Sequence, residues 1–203
     1  MSLVSPVLQR LESHLPLDGL SWDDRPVALP EAAVLVPLTD EPEPQVLLGR
    51  RALHLTHHPG EVAFPGGKRE SVDASPWVTA KREACEEVGL LEAHVHPLGE
   101  LQPMLTRTGF EVHPCIARIP PGLEYTVDTR EFDSIFQLPL GRFCDRSQLQ
   151  LQTYTVEGRQ LTVPHYRIDG DDIWGVTAAI LALVASAAYD VELDLQRDWS
   201  RKP

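Results

Sequence analysis

The run Arg82-Glu83-Ala84-Cys85-Glu86-Glu87-Val88-Gly89-Leu90 constrains this chain more than any other stretch. Ser75-Pro76 supplies an N-cap followed by a residue suited to a first helical turn, so a helix is predicted from there to about Gly89. On that helix Glu83, Glu86 and Glu87 stand at i, i+3 and i+4 and share one face. Trp77, Ala80, Ala84 and Val88 gather on a different side at about 100° per residue, which lets the helix pack inward there and turn its carboxylates to a cleft. Two carboxylates about 6 Å apart, at an effective dielectric of about 20, repel by roughly 3 kcal/mol, a cost that a hard cation turns into binding energy. Mg²⁺ or Mn²⁺ with oxygen ligands fits this donor set best. Just before the helix, Gly66-Gly67 permit a tight turn and bring a backbone carbonyl within reach of the same ion.

The remaining chain reads as mixed α and β. Leu8, Leu11 and Leu15 recur on one face after Ser5-Pro6 and predict an amphipathic helix. Val34 to Leu38, Val46 to Leu48, Val62 to Phe64, Val95 to Leu101 and Phe110 to Ile119 read as strands, with Pro114 favouring an edge or a bulge in the last. Glu131 to Phe136 reads as a short helix, Leu151 to Val156 with Leu161 to Ile168 as a hairpin turning at Glu157-Gly158-Arg159, and Trp174 to Tyr189 as a buried helix. No βαβ rhythm repeats, so the fold class is α+β, with a mixed sheet between helices.

Charge narrows the partners. A formal net charge of -12 argues against binding nucleic acid through a broad basic surface, so anion binding must be local. Six of the 18 Lys and Arg residues fall between Arg50 and Arg82, and Arg50, Arg51 and Lys68 are the candidate substrate-binding cations. His54, His57 and His58 stand just before Gly60 and read as a polar loop. Cys85, Cys115 and Cys144 have the spacing of neither a zinc site nor a disulfide framework, which points to a reducing, cytoplasmic setting. The N-terminus shows no export signal, and the longest apolar run, Val176 to Tyr189, is shorter than the about 20 residues a bilayer requires, so no membrane partner is expected.

Gly67, Asp73 and the run from Arg82 to Leu90 resemble the Nudix box, G-x5-E-x7-R-E-U-x-E-E-x-G-U with U a bulky apolar residue. Ala84 fills one U position, Asp73 replaces the first Glu, and eight residues rather than seven separate it from Arg82. Upstream, Leu47-Leu48, Gly60 and Phe64-Pro65-Gly66-Gly67 are similar to the pattern of the coenzyme A-directed Nudix subgroup, L-L-T-x2-S-x3-R-x3-G-x3-F-P-G-G, whose Thr, Ser and Arg are here Gly49, Ala52 and Thr56. Glu131, Phe136, Pro139-Leu140 and Ile173 to Ala178 resemble the C-terminal half of that subgroup, and the similarity spans about residues 30 to 190.

The resemblance implies a Nudix-type α/β/α sandwich over residues 26–195, with residues 1–25 as a helical extension and 196–203 as a tail. The extension either packs on the domain or joins two copies in a homodimer. Mg²⁺ or Mn²⁺ would be held by Glu83, Glu86, Glu87 and the Gly67 carbonyl, with Arg82 orienting Glu83 and either a box glutamate or Glu131 as general base. The implied reaction is hydrolysis of the diphosphate linkage of coenzyme A or its derivatives, giving 4′-phosphopantetheine, or its acyl form, and adenosine 3′,5′-bisphosphate. Alternatives are hydrolysis of ADP-ribose or a dinucleotide, and a nucleotide-sensing module without catalysis.

Overall fold

A computed structural model describes residues 5–17, 22, 29–106, 108–156 and 158–196. The boundary at residue 26, the hairpin position Glu157 and the tail from 197 onward lie outside them. Among the described residues three α-helices, α1 (Pro6–His14), α2 (Pro76–Val88) and α3 (Gly175–Tyr189), accompany eleven strands. Eight of these form a mixed sheet: β1 (Glu31–Thr39), β2 (Gln45–Arg51), β3 (Val62–Ala63), β4 (Gly66–Lys68), β5 (His96–Glu100), β6 (Met104–Leu105), β7 (Glu111–Ile119) and β8 (Phe132–Pro139). Its path runs β3-β2-β1-β7-β5, with β1 and β7 parallel from Glu31↔Glu111 to Thr39↔Ile119. A smaller antiparallel sheet contains β9 (Leu149–Val156), β10 (Arg159–Ile168) and β11 (Asp171–Trp174).

Strand alternation sends side chains to two separate cores. From β1, Ala33 and Leu35 join Leu47, Cys115, Ala117 and Phe132 beneath Trp77, Ala80, Ala84 and Val88 of α2. Val36 and Leu38 join Val46, Leu48 and Ile116 against α1 and α3 on the opposite face. The result is the expected sandwich, with helices on both faces because each strand of the centre is apolar on both sides. Leu8 and Leu11 of α1 are fully buried in the α3 layer. No helix among the described residues is long and apolar enough to cross a membrane.

Two local expectations are corrected. Glu131 to Phe136 is not a helix; Phe132–Pro139 is a strand, because β2 offers it an antiparallel partner from Gln45↔Pro139 to Arg51↔Phe132. Pro114 lies in β7, an interior strand between β1 and β5, rather than at an edge. It is tolerated there because β5 ends at Glu100 and β6 begins at Met104, and in the gap between them Leu101 donates its N–H to the Pro114 carbonyl while no partner needs the missing proline N–H. Trp174 ends β11 and caps α3 as an extended residue, so the final helix begins where the sequence places it.

Candidate active site

The glutamate helix is held at both ends by its own sequence. The Ser75 hydroxyl accepts from the Val78 N–H, Pro76 occupies the first turn, and Gly89 closes the helix in the left-handed region at φ 69°. Its apolar side is buried in the lower core, which leaves the opposite side beside the β3–β4 turn. There the Gly66 N–H donates to Glu87 Oε2 at 2.9 Å. A Cβ on Gly67 would collide with the Glu83 carboxylate, so glycine is required for that side chain to lie against the turn.

The three glutamates have different surroundings. Glu87 is buried, and desolvation raises its pKa from the ordinary 4.5 to about 8; the nearby charges of Glu83 and Glu131 add to the rise, while the Gly66 N–H and Arg51 oppose it. Burial also raises Glu83, against the opposing influence of Arg82 at 3.0 Å. Glu86 is mostly exposed and receives Arg82 Nη1 at 3.3 Å. The helical wheel explains the split: from Glu83, Glu87 lies about 40° to one side and Glu86 about 60° to the other, so Glu86 sits at the margin of the face. Among the described residues no three His, Cys, Asp or Glu side chains are gathered closely enough to hold a metal ion. Glu83, Glu87 and the backbone carbonyl of Gly67 are hard oxygen donors, the kind that Mg²⁺ or Mn²⁺ takes.

Arg82 is gripped from several sides. Asp73, itself buried, accepts Nε at 3.2 Å and Nη2 at 3.0 Å, Nη2 also donates to the Lys68 carbonyl, and Nη1 faces Glu83 and Glu86. Although burial opposes it, the hydrogen bonds from Arg82, the Glu70 N–H and Thr79 hold Asp73 below its ordinary pKa. A shorter aspartate thus supplies the arginine contact at the position where the box pattern has glutamate.

The remaining candidates occupy distinct places. Arg51 pairs with Glu131 at 3.4 Å, its charge and that of Glu131 are both felt at Glu87, and its Nε is buried with no hydrogen-bond partner among the described residues. Arg50 is engaged by Asp171 through two bonds of 2.7 and 2.6 Å, reaches Ser134, and stacks over Phe136. Lys68 lies over the Phe110 ring at 5.1 Å. His58 pairs with Glu61 in the loop before β3. Sequence reasoning missed the Asp171 partner of Arg50, which has no local signal because 121 residues separate the two, and the Thr79 partner of Asp73, which stands one turn into the helix behind Ser75.

Strand, glycine turn and carboxylate helix, with two further helices on the opposite face of the sheet, define a Nudix-type sandwich. The NUDIX domain family matches residues 29–161. The Nudix hydrolase NudL of Yersinia enterocolitica is 38% identical over 154 residues, covering 76% of this chain and 79% of the relative, and NudL of Yersinia pestis is 38% identical over 76% of this chain and 77% of its own. A Nudix hydrolase of Alicyclobacillus acidocaldarius has a similar fold, with a TM-score of 0.53 at 21% identity over 79% of this chain and 92% of that one. A MutT/nudix family protein of Enterococcus faecalis gives 0.51 at 16% identity, over 79% and 61%. The chain belongs to the Nudix hydrolase family.

Proposed function

We propose that the chain hydrolyses the diphosphate linkage of coenzyme A or its derivatives, releasing 4′-phosphopantetheine, or its acyl form, and adenosine 3′,5′-bisphosphate. The observation that carries the hydrolytic reading is the convergence of Glu83 and Glu87 on the Gly66-Gly67 turn beside the Arg51–Glu131 pair. Glu83, Glu86, Glu87 and the Gly67 carbonyl would hold Mg²⁺ or Mn²⁺, which when bound polarises a phosphate oxygen and offsets the charge of the linkage. Arg82, fixed by Asp73, opposes the effect of burial on Glu83 and keeps it aimed at the turn. Arg51 is the favoured phosphate contact, because its partly exposed guanidinium lies beside Glu131 and its charge is felt at Glu87. Lys68, at the strand end beside the turn, would add a second cation, and Arg50 would contribute by holding β11 through Asp171 or by exchanging that partner for substrate. Glu131, partly exposed and close enough to influence Glu87, is placed to accept the proton of the attacking water; a box glutamate is the other candidate.

The coenzyme A assignment rests on Gly60, Phe64-Pro65-Gly66-Gly67 and the C-terminal similarity. Gly49, Ala52 and Thr56 favour the second reading, ADP-ribose or a dinucleotide, since Thr56 carries no charge where the subgroup pattern has Arg. Product analysis after incubation with coenzyme A, ADP-ribose and a dinucleotide, each with Mg²⁺, Mn²⁺ or chelator, decides. Metal-dependent adenosine 3′,5′-bisphosphate from coenzyme A supports the full reading. Cleavage of another substrate alone replaces the subgroup, and tight nucleotide binding without cleavage replaces catalysis by sensing. Three free cysteines support a cytoplasmic setting for either chemistry.

A further inference from the structure

We propose that Trp22 and Thr79 are positioning residues that aim Arg82, and through it Glu83, by fixing the buried carboxylate of Asp73. Trp22 precedes the family-matched residues 29–161, yet it is 1% exposed and wedged against the box. Its N–H donates to the Ala74 carbonyl at 3.1 Å, the Arg69 guanidinium lies over its ring at 5.3 Å, and its ring meets the edge of His113 at 4.8 Å between centroids. Its indole Nε1 donates to Thr79 Oγ1 at 3.3 Å, and Thr79 Oγ1 donates to Asp73 Oδ2 at 2.9 Å.

The order of donors follows from the groups themselves. An indole N–H only donates, so the Thr79 oxygen accepts, and its single proton must be spent elsewhere. Of the two oxygens within reach, Asp73 Oδ2 at 2.9 Å is nearer than the Ser75 carbonyl at 3.4 Å, and it is charged. Oδ2 then receives Thr79, the Glu70 N–H and Arg82 Nη2, while Oδ1 faces Arg82 Nε. With the carboxylate plane set, the guanidinium fork is set too, and Nη1 is the corner left for Glu83 and Glu86. An aspartate has one fewer torsion than the glutamate of the box pattern, so its direction depends on such buried donors.

The inference rests on the metal reading only in one arm of its test. In the full-length protein, Thr79→Val removes the hydroxyl at nearly constant shape, Thr79→Ser restores it, and Trp22→Phe keeps an aromatic ring but deletes the N–H. The exchange rate of the Arg82 Nε–H, followed by ¹⁵N-resolved NMR without metal, should rise in Thr79→Val, rise less in Trp22→Phe, and stay near wild type in Thr79→Ser. Mn²⁺ affinity measured by calorimetry should fall about tenfold in Thr79→Val and recover in Thr79→Ser. Trp22→Phe should add little in the Thr79→Val background, as members of one chain are not additive. Unchanged Arg82 Nε–H exchange and Mn²⁺ affinity in a folded Thr79→Val protein, whatever its melting temperature, would overturn the proposal. A wild type that binds no Mn²⁺ would instead overturn the metal reading, with the exchange measurement still deciding whether Thr79 positions Arg82.

Discussion

The backbone N–H of Gly66 meets Oε2 of Glu87 at 2.9 Å, so the turn before the helix and the last-but-one residue of the helix are joined across the cleft. Gln at position 87 keeps an oxygen for that donor but loses the charge. Glu87→Gln is therefore expected to reduce kcat by about 100-fold or more while the metal-free protein melts at or above the wild-type temperature. Steady-state kinetics with circular dichroism melting checks it; an active, well-folded variant would remove Glu87 from the metal site.

Proton linkage at the same residue gives a second expectation. The folded state raises Glu87 from 4.5 to about 8, so between those values the folded protein retains a proton that the unfolded chain has lost. Stability of the metal-free protein should accordingly receive a contribution from Glu87 that declines as pH rises from 4.5 to about 8, and Glu87→Gln should flatten that decline. Cation binding at pH 7 must displace the proton, and calorimetry in buffers of different ionisation enthalpy should detect its release. Binding with no proton release would contradict the assignment.

Asp73→Asn leaves Arg82 with a neutral partner in a buried place. A loss of about 2 kcal/mol in stability is expected from weakening a charge-assisted pair. Turnover should fall further than stability accounts for, because Glu83 loses the fixed arginine. Denaturant unfolding and kinetics on the same preparation separate the two effects.

Gly49 replaces the threonine of the subgroup pattern for a steric reason: any Cβ there would enter the ring of Phe132, which is fully buried. Gly49→Thr should cost about 1–3 kcal/mol through overpacking rather than improve coenzyme A recognition. Pairing it with Phe132→Leu should recover part of the loss, a rescue measurable by thermal unfolding.

Much of the frame was legible because it is written in short-range periodicity. Leu8 and Leu11, the two faces of α2, and the alternation of Val34 to Leu38 each name the side that is buried. The identity of β8 was not, since Phe132 to Phe136 becomes a strand only through β2, and that partner lies far back in the chain. Periodicity likewise grouped Glu86 with Glu83 and Glu87, while its exposed contact with Arg82 depends on the loop that carries Asp73. Arg50 stood among the basic residues of the segment, and nothing local announced that Asp171 would engage it.

The pairing of Glu31 with Glu111 also sets when this protein can fold. The glutamate helix is complete by residue 88, but its apolar side needs Cys115, Ala117 and Ile119 of β7 for cover. During synthesis, a chain released only to residue 100 could cover the apolar side of its glutamate helix with Ala33, Leu35 and Leu47 but not with β7, and closing so long a loop is slow relative to local helix formation. That makes the half-made polypeptide, rather than the finished enzyme, the species most exposed to aggregation and most dependent on chaperones.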